Sequence, residues 1–148
     1  MQTAPGRIAN DRRPLPNPDA LTQPYWDAAR EGHLAIQRCT QCRTFHHPPI
    51  PFCDICDSRT LEFERVSGRG KVYTHTRMHA LRIPGFEDAG AYPLVWVELD
   101  EQPLLTVVCN MDGTDPEKIR VGAPVEVTFV DAGEGVVLPD FRLTSEGA

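Results

Sequence analysis

The residues that could do chemistry here are cysteines. Two CxxC pairs, Cys39-Thr40-Gln41-Cys42 and Cys53-Asp54-Ile55-Cys56, stand ten residues apart. A CxxC pair on a tight turn aims two sulfurs at one point. Two such turns facing each other offer four thiolates in a tetrahedron, the shell that Zn²⁺ takes in structural sites. The spacing therefore predicts one metal centre built from Cys39, Cys42, Cys53 and Cys56. Iron accepts the same four soft ligands, so Fe stays open beside Zn²⁺. A disulfide framework is disfavoured, because the quartet is arranged in ligand pairs and no apolar leader stands at the N-terminus. A redox CxxC would need one pair opening a helix after a strand, and it leaves the other pair unexplained. A four-sulfur shell has no open position for water or substrate, so the ion is expected to be structural. It folds a segment too short to bury a core of its own. His46 and His47 are then surplus as ligands and are expected outside the shell or facing solvent.

The elements that must position these sulfurs are short strands and turns. Phe45, His46, His47, Pro48, Pro49 and Pro51 make a stiff loop with no helical period. Leu34 and Ile36 alternate with Ala35 and Gln37, a strand over 33–38 that enters the first turn. Residues 61–66 alternate again and leave the second. Arg43 and Asp57 follow the two pairs, at positions where positive φ is needed; Asp tolerates that better than Arg, which predicts slight strain at Arg43. Upstream, Thr22 reads as an N-cap and Pro24 as a first-turn residue of a short helix carrying Tyr25, Trp26, Ala28 and Ala29, with Gly32 ending it.

The chain has 148 residues, 41% of them apolar, with fourteen prolines and eleven glycines. That suits a turn-rich fold and argues against a helical bundle. No uncharged stretch is long enough for a membrane span. Reduced thiols and the lack of an export signal point to the cytoplasm. The net charge of −6 is unevenly spread. Residues 30–82 carry nine Lys/Arg against five Asp/Glu, and residues 83–148 carry three against thirteen. A basic half joined to an acidic half suggests two faces with different partners.

Residues 1–20 are polar and proline-rich and read as an extended or disordered arm, residues 21–66 as helix and ribbon, and residues 67–148 as a barrel. Ser67-Gly68-Arg69-Gly70 reads as a turn. Beyond it Val72, Thr74, Thr76 and Met78 are expected on one face of a strand, with Tyr73, His75, Arg77 and His79 on the other. Strands follow over 94–99 and 104–109, then a helical turn opened by Asp115 and Pro116, then strands over 125–130 and 136–143. Five short strands with one helical connection fit a small barrel of the OB type, with Cys109 as a small core residue. The fold class is thus mainly β: an N-terminal helix and a rubredoxin-like zinc ribbon, then a five-stranded OB-fold barrel. No nucleophile elbow, P-loop or GxGxxG occurs, and His75 and His79 have no carboxylate near in sequence.

Residues from about Tyr25 to Leu143 resemble the DUF35 family. The likeness is carried by Tyr25-Trp26, Glu31-Gly32-His33-Leu34, Gln37-Arg38-Cys39 with Cys42, Cys53 and Cys56, and Ser67-Gly68-Arg69-Gly70-Lys71-Val72-Tyr73. Pro93-Leu94-Val95, Val97-Glu98-Leu99-Asp100 and the run from Val121 to Val127 complete it. The resemblance implies an accessory subunit and not an enzyme in its own right. Such a subunit docks on a thiolase-fold enzyme (a thiolase, an acyltransferase or a steroid side-chain retro-aldolase) and helps bind its acyl-CoA ester. The phosphates of CoA need cations, and Arg suits them. The candidates are Arg65, Arg69, Lys71, His75 and Arg77. The alternative function is a single-stranded nucleic-acid-binding ribbon and barrel. It is disfavoured because the barrel half is strongly acidic.

Overall fold

The computed structural model describes residues 8–9, 12–79 and 82–144. Most of the first dozen residues of the expected arm thus lie outside the described residues.

Helix α1 spans Gln23–Arg30, with Pro24 in its first turn. Thr22 occupies the N-cap position, but its side chain makes no cap bond. Its hydroxyl instead accepts from the Asp19 N–H, and the Asp19 carboxylate collects the N–H groups of Leu21 and Thr22. The cap bond expected of Thr22 is therefore absent, its hydroxyl being drawn into an aspartate turn that starts three residues upstream. Gly32 ends the helix at φ 85°, with its N–H on Ala29 and the His33 N–H on Ala28. That is the Schellman pairing, which requires a residue tolerant of the left-handed region.

Three strands form the ribbon: β1 (Ala35–Cys39), β2 (Phe45–His46) and β3 (Leu61–Arg65). They pair antiparallel in the order β2-β1-β3. The barrel follows as β4 (Arg69–Met78), β5 (Tyr92–Leu99), β6 (Thr106–Cys109), β7 (Pro124–Asp131) and β8 (Val137–Leu143). Its five antiparallel strands lie in the order β6-β5-β4-β7-β8. A 3-10 turn at Pro116–Lys118 joins the two halves, and Asp115 caps it by accepting from the Glu117 N–H. Asp140 draws the free edges together: its buried carboxylate on β8 accepts from the N–H groups of Met111 and Asp112, just past β6, and from Phe141. The result is a nearly closed barrel of the OB type.

Two expectations need correction. Ser67–Gly70 is not wholly a turn, since β4 begins at Arg69. Gly70 sits inside the strand because a Cβ there would run into the Glu98 carbonyl of β5. The predicted faces of β4 also fail beyond Tyr73. A bulge between Val72 and Thr74 shifts the register, so that Val72 pairs with buried Val97 and His75 with buried Val95. Thr74 and Thr76 thereby move to the outer face, and His75 and Arg77 to the side of Val72. A bulge adds one residue, and alternation counted from the sequence cannot see it.

One apolar core runs through both sheets. Tyr25, Leu34, Ile36 and Phe45 from the helix and ribbon pack in one cluster with Val72, Val97, Leu99, Met111 and Phe141 of the barrel. Cys109 is buried in it, and desolvation followed by the Asp140 charge pushes its thiol up. A polar clamp reinforces the junction: Gln102 accepts from the Phe45 N–H at 2.8 Å and donates to its carbonyl at 3.1 Å. A smaller cluster packs Ile8 against Ala89 and Tyr92. The Ala9 N–H reaches the Gly85 carbonyl at 2.8 Å, so this part of the arm lies on its own chain. Among the described residues no helix is long and apolar enough to cross a membrane.

Candidate functional site

The two CxxC turns are built alike. The Cys39 carbonyl accepts from the Arg43 N–H and the Cys53 carbonyl from the Asp57 N–H. The Cys39 N–H reaches the Thr44 carbonyl, and the Cys53 N–H that of Ser58. Each turn closes on a residue in the left-handed region, Arg43 at φ 65° and Asp57 at φ 60°, as expected. Arg43 is held there by a brace: Arg38 Nε donates to its carbonyl at 2.7 Å, and Glu64 bridges both guanidinium groups at 2.9 and 3.1 Å.

The four sulfurs converge. All lie within 4.8 Å of one another, with Cys39–Cys56 at 3.6 Å and Cys42–Cys53 at 3.5 Å. A tetrahedral ion with metal–sulfur bonds of about 2.3 Å requires edges of about 3.8 Å, so the set fits a single ion. Electrostatics agree. The Cys42 N–H, followed by that of Gln41, lowers the Cys39 thiol to about 6. The Thr44 hydroxyl and N–H lower Cys42. Cys56, although the Ser58 N–H lowers it, is pushed up to about 12 by desolvation and its sulfur neighbours. A fourth negative charge in so small a space calls for a cation.

His46 stands outside this tetrahedron but does not face solvent. It is buried, with Nε2 3.3 Å from Cys53 Sγ and Nδ1 3.5 Å from Asp54 Oδ1. The sequence reading missed Gln37. It is buried beneath the loop and pins it, accepting from the Ile50 N–H at 2.8 Å and donating to the Ile50 carbonyl at 2.9 Å. Alternation with Leu34 and Ile36 sets it on the outward face, so the sequence carried no signal for this role.

The five candidate cations do not form one patch. Arg65 is exposed at the end of β3. Arg69 and Lys71 project from the outer face of β4, Lys71 paired with Glu98 at 3.3 Å. Arg69 lines a recess of about 380 Å³ with Asp100 and Glu126. His75 and Arg77 lie beyond the bulge on the opposite side, and Arg77 is paired with Glu117 at 2.8 Å.

A second concavity, of about 440 Å³, opens where α1, the ribbon loop and the barrel wall meet. Tyr25, Trp26, His47, Pro48, Trp96 and Val108 line it. The His47–Pro48 peptide is cis, and the His47 ring lies 5.0 Å from that of Tyr25. Desolvation lowers His47 to about 4, so the imidazole is neutral. Sequence alone held one clue to this groove: Trp96 alternates with core Val95 and Val97 and so faces outward.

Comparison with known proteins places these features in context. Residues 26–62 match the model described as "ChsH2, rubredoxin-like zinc ribbon domain", and residues 63–130 that described as "ChsH2, C-terminal OB-fold domain". A Thermomonospora curvata protein named "Probable enoyl-CoA hydratase alpha subunit" is 36% identical over 88% of this chain. The chain spans only 40% of that relative's length. A Pyrococcus furiosus "DUF35 domain-containing scaffold protein" is 38% identical over 70% of this chain and 74% of its own. Among solved structures, a chain of the "Ltp2-ChsH2(DUF35) aldolase" superposes with a TM-score of 0.73 at 32% identity, covering 86% of this chain and 98% of that one. With ribbon and barrel matched in tandem, and a DUF35 scaffold protein 38% identical over 74% of its own length, this chain belongs to the DUF35 family.

Proposed function

We propose that the chain is a non-catalytic accessory subunit that docks on a thiolase-fold enzyme and helps seat that enzyme's acyl-CoA substrate. The observation that supports this best is the near-complete correspondence with a chain of the Ltp2-ChsH2(DUF35) aldolase. The relatives named as a hydratase alpha subunit and a scaffold protein agree with it. In this reading the partner performs the thiolase, acyltransferase or retro-aldol reaction, and this chain supplies a rigid wall. The continuous core and the Gln102 clamp give it that rigidity.

Cys39, Cys42, Cys53 and Cys56 hold one structural ion in this proposal, Zn²⁺ by its fit to a closed sulfur shell, with iron the competing metal. Elemental analysis of purified protein decides between them. Of the candidate cations, Lys71 and Arg77 are held in ion pairs and His75 lies beyond the bulge on the side of Val72, which leaves Arg65 and Arg69 for the phosphate contact. Both lie near the ribbon–barrel junction.

Tagged protein expressed in its native cell is expected to co-purify with a thiolase-fold enzyme, and adding it to that enzyme to raise acyl-CoA turnover. Turnover by the purified chain alone, or a partner whose kinetics do not respond to it, would overturn the proposal. Replacing Arg65 and Arg69 with Glu is expected to weaken CoA-ester binding by the assembled complex at least tenfold; unchanged affinity removes them from the site.

A further inference from the structure

We propose that the groove between α1, the ribbon loop and the outer wall of β5–β6 binds the uncharged acyl portion of a thioester ligand. This rests on the accessory acyl-CoA reading and adds which part of the substrate the chain takes, and where.

The size is right. About 440 Å³ falls within the roughly 300–1,000 Å³ of small-molecule sites. At roughly 30 Å³ per water-sized group it holds about fifteen such groups. The chemistry is specific as well. Among the described residues no Lys, Arg, Asp or Glu lines the groove, and burial keeps both of its titratable rings, His47 and Tyr25, neutral. Such a wall has no cation for phosphates and favours an apolar body. Trp26 and Trp96 face it from two different elements, and neither indole N–H has an acceptor among the described residues. An indole N–H can donate to a carbonyl oxygen, which an acyl thioester carries and a plain hydrocarbon lacks. The rim is apolar too: Val108 is 48% exposed on a strand whose alternate residues, Val107 and Cys109, are buried. The groove thus matches an acyl chain in polarity and volume and carries no cation for the nucleotide end of CoA.

The test uses a built-in reporter, because the two tryptophans of the chain both line the groove. The full-length, metal-loaded protein is titrated with octanoyl-pantetheine, which has the thioester and acyl chain but no phosphate, and separately with free CoA. A saturable change in tryptophan emission is expected with octanoyl-pantetheine and none with free CoA. Val108→Asp, and independently Val108→Gln, are expected to weaken octanoyl-pantetheine at least tenfold and threefold respectively, with circular dichroism and metal content unchanged. An equal response to free CoA, no saturable response, or unchanged affinity in both folded variants overturns the inference. So does loss of partner co-purification in Val108→Asp when the parent chain never bound octanoyl-pantetheine; the groove is then a protein-docking face and the accessory reading stands. Intact binding of octanoyl-pantetheine without any recruited enzyme sinks the accessory reading alone.

Discussion

His47 makes folding stability depend on pH in a way that can be isolated. Its ring lies in the groove wall against Tyr25, and desolvation lowers its pKa from 6.5 to about 4. Above about pH 6.5 both folded and unfolded chains carry a neutral imidazole, and the residue contributes no pH dependence. Below that, the unfolded chain binds a proton that the folded chain refuses, so stability falls as pH drops from 6.5 toward 4. The whole effect is about 3 kcal/mol at the acid end. Between about pH 7 and about pH 5.5 it is about 1.2 kcal/mol, since the unfolded state is mostly protonated there and the folded state hardly at all. His47→Phe keeps an aromatic ring against Tyr25 and removes the proton site. Urea unfolding of both proteins at the two pH values, with excess zinc throughout, reads the difference. Every other titrating group is common to the two and cancels. For a slope of about 2 kcal/mol/M, the wild-type midpoint is expected to fall about 0.6 M further than that of the variant. Parallel pH dependences would refute the reasoning, and with it the neutrality of the groove.

Two further substitutions probe how the parts are held together. Gln102→Ala removes both bonds to the Phe45 backbone and leaves that N–H and carbonyl half-buried; a loss of about 2 kcal/mol is expected by urea titration. Hydrogen-exchange protection should fall more across β1 and β2 than in β7, and a loss below about 0.5 kcal/mol would show the clamp to be incidental. Gly70→Ala forces a methyl against the Glu98 carbonyl and is expected to cost about 1–3 kcal/mol. Gly70 does not need positive φ, so wild-type stability in this variant would mean that β4 and β5 are less closely apposed than described.

What could be read in advance was whatever depends on local spacing. The quartet, the left-handed residues after each pair, Gly32 and the Asp115-Pro116 cap each act within a few residues, and each stands where the spacing put it. The five barrel strands were legible because Val95, Val97 and Leu99, and later Val125, repeat with period two. Errors arose where a neighbour outside the window decides. Thr22 lost its cap role because Asp19, three residues upstream, holds its hydroxyl: the side chain donates to the Asp19 carboxylate and accepts from the Asp19 N–H instead of turning to the helix. The β4 bulge escaped because Tyr73 and Thr74 are both tolerated outside, so no apolar residue marks the slip. Gln37 and Gln102 look like ordinary surface residues until the backbone of another segment is laid beside them. The groove is the extreme case: residues 22–26, 47–49 and 96–108 meet only through the topology.

That topology ties the ribbon metal to the groove. His47 and Pro48 lie between the two cysteine pairs, in a loop whose far end is pinned by Gln37 to Ile50 and whose near side rests on the His46–Cys53 contact. Nothing in the loop has a core of its own, so the sulfur centre sets its path. Chelation is therefore expected to dissolve one wall of the groove while Trp96 and Val108 stay on an intact barrel. Protection from hydrogen exchange should be lost over residues 33–60 before β4, β5 and β7. In the same sample the emission response to octanoyl-pantetheine should weaken at least tenfold. If protection over 33–60 survives metal removal, the centre does not organise the ribbon. If protection is lost and the response persists, the barrel wall alone binds the probe, and the ribbon loop has no part in the site.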